Sequence, residues 1–149
     1  MGSDASYKHS ETTDAIIGVF YDVYNELGFG FLESVYQKAL RIALIEKGLR
    51  VESEVATSVF FHGEKVGDFR ADLIANEVVL VELKTAEKIV RAHEAQVLNY
   101  LRSTKLELAL ILNFGPQPQI RRLLLDNARK HLRVNRVGGS SPDPRETSV

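Results

Sequence analysis

Asp72, Glu82 and Lys84 are the residues of this chain whose types and spacing are suited to chemistry. Asp72 lies in GDFRADLIA, and after nine intervening residues Glu82-Leu83-Lys84 closes the otherwise apolar run VVLVELK. Two carboxylates can hold a magnesium-type ion through hard oxygen atoms. An ammonium beside them can stabilise developing negative charge or orient a water, which is the equipment of a metal-dependent phosphodiester-cleaving site.

The elements must bring these groups together. Two β-strands joined at Asn76-Glu77 pair position 72 with 82 if the turn centres on Glu77, or with 81 if it centres one half-step earlier. Either register sets the two carboxylates at neighbouring places on adjacent strands, and directly opposed residues lie roughly 4.5–5.5 Å apart at Cβ. Glu82 and Lys84, two apart on one strand, share a face. Spacing alone leaves a second reading open, with Glu82 and Lys84 as a structural ion pair at a strand end and Asp72 as a surface acid near a turn.

Further residues surround the three. Gln96 and Tyr100 in HEAQVLNYL are one helical turn apart, with His93 on the same side. That stripe can hold the Lys84 ammonium, a water or a phosphate, or its members can simply satisfy nearby backbone, the better reading for His93. Glu33 falls in the first turn of a helix, where the macrodipole favours an acid. Leu32, Val35 and Tyr36 are expected to set that turn against the core, so Glu33 can also complete a metal's oxygen shell. Tyr36 itself reads as core packing with a satisfied hydroxyl.

Apolar residues recur with helical spacing over Ile16 to Leu27 and over Leu32 to Leu44, with Gly28-Phe29-Gly30 between them. From Val51 the texture becomes that of three hairpin-linked strands, VESEVATSVFF, KVGDFRADLIA and VVLVELK. The third is apolar on both faces, as a covered central strand should be. Ile89 to Arg102 returns to helical texture, LELALILNF is a buried strand, and Gln119 to Leu125 is an edge strand or a helix start. The expected fold is an α/β sandwich around a mixed sheet. We expect a flexible N-terminus over 1–10, one domain over 11–137 and a disordered tail over 138–149.

The 149-residue chain is 44% hydrophobic and carries no cysteine, so a metal site must use carboxylate, imidazole or carbonyl groups, which favours magnesium or manganese over structural zinc. No apolar run suits a membrane span and no secretory leader is visible, which makes a cytoplasmic protein the expectation. The net charge of -1 argues against nonspecific coating of nucleic acid. It is uneven, +4 from Gln117 onward and -5 before. A basic end can touch a phosphate backbone or be an ordinary solvated segment.

Gly30-x-x-Glu33-x-x-Tyr36, followed by Asp72, Glu82-Leu83-Lys84 and His93-Glu94-Ala95-Gln96-x-x-x-Tyr100, resembles the GxxExxY family, a branch of the PD-(D/E)XK nuclease superfamily. The resemblance runs from about Thr12 to Phe114. It implies a restriction-endonuclease-like core, a mixed central sheet flanked by helices. It also implies that Glu33, Asp72 and Glu82 bind Mg2+ or Mn2+, with the Leu83 carbonyl as a further ligand. Lys84 matches the motif lysine, and Gln96 with Tyr100 matches the QxxxY element of RecB-like nucleases. The residue before Asp72 is Ala71 rather than proline, and some RecB-like relatives place a histidine where this chain has Glu33.

The expected function is a metal-dependent nuclease acting on DNA phosphodiester bonds, with Asp72, Glu82, Lys84, Gln96 and Tyr100 as its working residues. One rival is a catalytically inactive nuclease-fold module that binds nucleic acid or a protein partner. Another is a homodimer in which two-fold pairing builds a DNA channel or buries a sheet edge.

Overall fold

The computed structural model describes residues 8–130. Most of the expected flexible N-terminus, the expected domain end at 137 and the whole 138–149 tail lie outside the described residues.

Helix α1 (Ser10–Leu27) buries Thr13, Ile16, Val19, Phe20 and Val23, the three-and-four spacing of one apolar face. It stops at Gly28, whose φ of 72° turns the chain away while its N–H donates to Tyr24 O at 2.8 Å. Helix α2 (Glu33–Glu46) buries Tyr36, Leu40 and Leu44, four residues apart. The expectation that Leu32 and Val35 pack inward is corrected here. Leu32 precedes the helix in extended backbone and is 75% exposed, and Val35 is 39% exposed, because the glycine-flanked loop swings this end outward.

Strands β1 (Val51–Phe61) and β2 (Glu64–Ala75) form a long hairpin, and β3 (Val79–Lys84) follows after a second tight turn. At that turn both Asn76 and Glu77 have positive φ, 52° and 62°, the pattern of a mirror-image hairpin turn. Asn76 tolerates this because its amide is occupied: Oδ1 accepts the Arg50 N–H at 2.9 Å and Nδ2 donates to Thr12 Oγ1 at 3.3 Å. Helix α3 (Arg91–Arg102) crosses to β4 (Leu108–Phe114), which lies parallel to β3, and β5 (Pro118–Leu124) returns antiparallel as the far edge. The segment that the sequence left as strand or helix is thus a strand.

The sheet order is β1-β2-β3-β4-β5. One core lies between the sheet and α1 with α2, built on Phe20, Tyr36, Leu40, Leu83, Leu110 and Phe114 among others. The second lies between the opposite face and α3, with Leu80, Val97, Leu101 and Ile111. All seven residues of β4 are buried, as expected of a strand covered on both faces.

One feature of the register positions the site. β2 pairs with β1 along almost its whole length, but with β3 only over Leu73–Ala75. The outer half of the hairpin therefore projects as a two-stranded arm past the end of β3 at which Lys84 stands.

Candidate functional site

The β2–β3 ladder stops at Leu73↔Val81, and one more step of the same register sets Asp72 opposite Glu82. Of the two registers open from the sequence, the strands adopt the one centred on Glu77. Where the ladder opens, the Asp72 side chain takes over: its Oδ2 accepts the Leu83 N–H at 2.8 Å. The Asp72 N–H in turn faces Glu82 Oε1 at 3.5 Å. Within a strand residue the N–H and C=O project to the same side, so the Leu83 carbonyl also faces this opening.

Glu82 and Lys84 alternate with the inward-facing Val81 and Leu83 and so point towards α3. Lys84 Nζ donates to Gln96 Oε1 at 3.4 Å. The ion pairs among the described residues are Lys8–Glu107, Lys65–Asp68 and Arg121–Glu94. Glu82 and Lys84 therefore do not form the structural ion pair that spacing alone allowed.

Glu33 is the first residue of α2, and its carboxyl lies within range of the Asp72, Lys84 and Glu54 charges. Burial raises its carboxyl above the usual range, the Asp72 and Glu54 charges raise it further, and Lys84 opposes them. Burial also raises Asp72, against the Leu83 N–H and Lys84, which favour its ionised form; Glu54 adds to the rise. Glu82 is pushed up to about 8, first by burial and then by Asp72, with Lys84 pulling the other way. The three carboxylates thus share one field, and it disfavours having all of them ionised without a cation.

His93 is accounted for locally, because its Nδ1 accepts the Val90 N–H at 3.1 Å and caps α3. Tyr100 lies within range of the Glu82 charge, but its hydroxyl donates to Val55 O at 3.0 Å and its ring is buried against Phe69. It braces the root of the hairpin arm and makes no direct contact with the acids. Tyr36 packs as expected, stacked on Phe114 at 4.2 Å with its hydroxyl donating to Gly28 O.

Three contributors were not singled out from the sequence. Gln37, one turn after Glu33, donates Nε2 to Asp72 O at 3.1 Å and to Glu54 Oε2 at 2.7 Å, fastening α2 to β2 beside the acids. Its i+4 relation to Glu33 was the available signal. Glu54 has φ of 56° in mid-strand, where Ser53↔Leu73 and Val55↔Ala71 flank it, so it stands across from Asp72. Nothing in local sequence marks that register. Asn113 is fully buried and clamps Ala86, accepting its N–H and donating to its carbonyl, both at 2.9 Å. It fixes the loop that carries the chain from Lys84 to α3.

No three His, Asp or Glu side chains among the described residues are gathered into a preformed metal cage. The donor set nonetheless suits a hard divalent ion: half-buried carboxylates from two strands and a helix, a strand carbonyl and no thiolate.

Fold and site together define a class, an α/β domain with helices on both sheet faces and an acid plus acid-x-lysine set where two strands part. The chain belongs to the PD-(D/E)XK nuclease superfamily, whose sequence model matches residues 10–123. Among solved structures, the chain is similar to the one titled "Crystal structure of SSO0001", with 20% identity, a TM-score of 0.52, and coverage of 93% of this chain and 71% of that one. That likeness concerns the fold. No curated protein matches the chain.

Proposed function

We propose that the protein is a magnesium- or manganese-dependent nuclease that hydrolyses phosphodiester bonds, with DNA as its substrate. The observation that carries this reading is the parting of β2 and β3 at Asp72, which sets Asp72, Glu82 and an unpaired Lys84 around one opening. Membership of the superfamily supports it. The motifs around Glu33 and Gln96 favour the GxxExxY branch with its QxxxY element.

Asp72, Glu82 and Glu33 would hold the ion, with the Leu83 carbonyl as a further ligand. When bound, such an ion lowers the pKa of water and neutralises charge at phosphorus. Asp72 is kept in place by the Leu83 N–H, and Glu33 by the Gln37 tie between α2 and β2. Lys84, steadied by Gln96, presents its ammonium to the charge that develops on the phosphoryl oxygens.

The test is cleavage of single- and double-stranded DNA with Mg2+ or Mn2+, comparing Asp72→Ala and Lys84→Ala. Each substitution should lower the rate by about 10²-fold or more. Metal-dependent cleavage that is absent under every condition, or that survives both substitutions, rejects the catalytic reading.

A second reading is a module that binds nucleic acid or a protein partner without cutting. The lack of a preformed cage among the described residues favours it. Calorimetric titration with Mn2+ separates the two, since a folded protein that takes up no ion at millimolar concentration supports the module.

A further inference from the structure

Phe29, Phe31 and Leu32 are 58%, 50% and 75% exposed, and they directly precede Glu33. Aromatic rings left in water beside a candidate site call for a physical reason. The loop that carries them is built firmly. Phe31 donates its N–H to Tyr36 Oη at 3.3 Å, and the same hydroxyl donates to Gly28 O at 2.5 Å. The Phe31 ring meets Tyr36 edge-on at 6.0 Å, and Gly28 and Gly30 supply the positive φ values of 72° and 114° that the turn needs.

Position links this loop to the acids. Tyr36, on which Phe31 leans, stacks on Phe114 at the end of β4. The neighbouring Asn113 is level with Lys84 on β3. Phe31 therefore stands at the end of the sheet where the acid opening lies.

We infer that Phe31, with Phe29 beside it, is a stacking platform for an unpaired nucleobase, and that the strand entering the site is single-stranded or frayed. The inference rests on the nucleic-acid reading above and names its substrate class. Charge supports it: at a net -1, and with three acids at the opening, the protein gains little from neutralising phosphates. Base stacking on an aromatic ring is independent of charge and tolerant of sequence. A ring already held in place loses little freedom on stacking. A closed duplex covers its base faces everywhere but at its two ends, and so offers little to stack on.

The test is fluorescence anisotropy in EDTA, which separates binding from cleavage, using labelled oligothymidylate and a labelled duplex of equal length. The wild type should favour the single strand. Phe31→Ala should weaken single-strand binding by about 5- to 100-fold, leaving duplex binding unchanged, and Phe31→Trp should retain it. Both variants are first checked for the wild-type unfolding midpoint, and sedimentation follows their association state. Failure to bind oligothymidylate, equal weakening on both probes, or no weakening overturns the inference. So does a change from dimer to monomer with oligothymidylate affinity unaltered, which would make the patch a contact between copies. If Asp72→Ala abolishes cleavage while Phe31→Ala leaves single-strand affinity intact, only this inference fails. If nothing cleaves but strand binding depends on Phe31, only the catalytic reading fails.

Discussion

Glu82 is held where its ionised form is least welcome, half-buried in a strand and facing Asp72, and it is pushed up to about 8. A carboxyl raised in the folded state contributes stability that is present below its unfolded value of about 4.5 and is lost as pH rises through about 8. We therefore expect the protein in EDTA to become less stable between pH 5 and 9, and Glu82→Gln to flatten that slope. The variant should be more stable than wild type at pH 9 by on the order of 2 kcal/mol. Urea unfolding at both pH values measures this, and a Glu82→Gln protein that is weaker at pH 9 refutes it. Asp72, Glu82 and Lys84 were legible because their separation is set by one short hairpin, whose arithmetic a sequence contains. Gln37, Glu54 and Asn113 were not, since their partners lie 17 to 35 residues away and depend on how separate elements dock.

Helices were legible from periodicity, because each buries one face of fixed period, and central strands from unbroken apolar runs, because both their faces are covered. The orientation of a short loop was not: Leu32 and Val35 fit the apolar face of α2, yet the turn at Gly28 and Gly30 sets them outward. A comparable dependence on close approach governs the loop from β3 to α3. A Cβ on Gly115 would lie 2.2 Å from Ala86 O and 2.8 Å from Asn113 Nδ2, and the nearer contact is backbone. Gly115→Ala should therefore push the loop off its Asn113 clamp and lower stability by about 1–3 kcal/mol. If the catalytic reading holds, activity should fall as well, because the loop links Lys84 to the helix that carries Gln96. Denaturant unfolding and the DNA cleavage assay report the two effects separately, and a variant with wild-type stability contradicts the argument.

Both ends of the described chain are fastened to one connection, the turn between α3 and β4. Glu107 accepts from the Asn127 N–H at 2.7 Å and from Lys8 Nζ at 2.9 Å, and these bonds, the Asn127 one foremost, hold its carboxyl below the usual range. Lys130 enters the same region from the other end, 5% exposed, and donates to Leu101 O and Thr104 O at 2.8 Å and to Leu106 O at 2.5 Å. Those carbonyls end α3 and begin the turn; Leu101 O also accepts the Thr104 N–H at 3.3 Å, whereas Thr104 O and Leu106 O lie past the helix and rely on Lys130. The sequence showed Lys130 only as one base in a positively charged stretch, because a lysine that caps carbonyls carries no local mark of it. Lys130→Met keeps most of the buried stem but removes every donor, leaving Thr104 O and Leu106 O without a partner and Leu101 O with the Thr104 N–H alone. We expect a loss of about 1–3 kcal/mol, larger than for an exposed lysine such as Lys88. Thermal or urea unfolding of Lys130→Met beside Lys88→Met decides it. Equal, small effects would mean that the charge is dispensable and that the end of the domain is held by apolar packing alone.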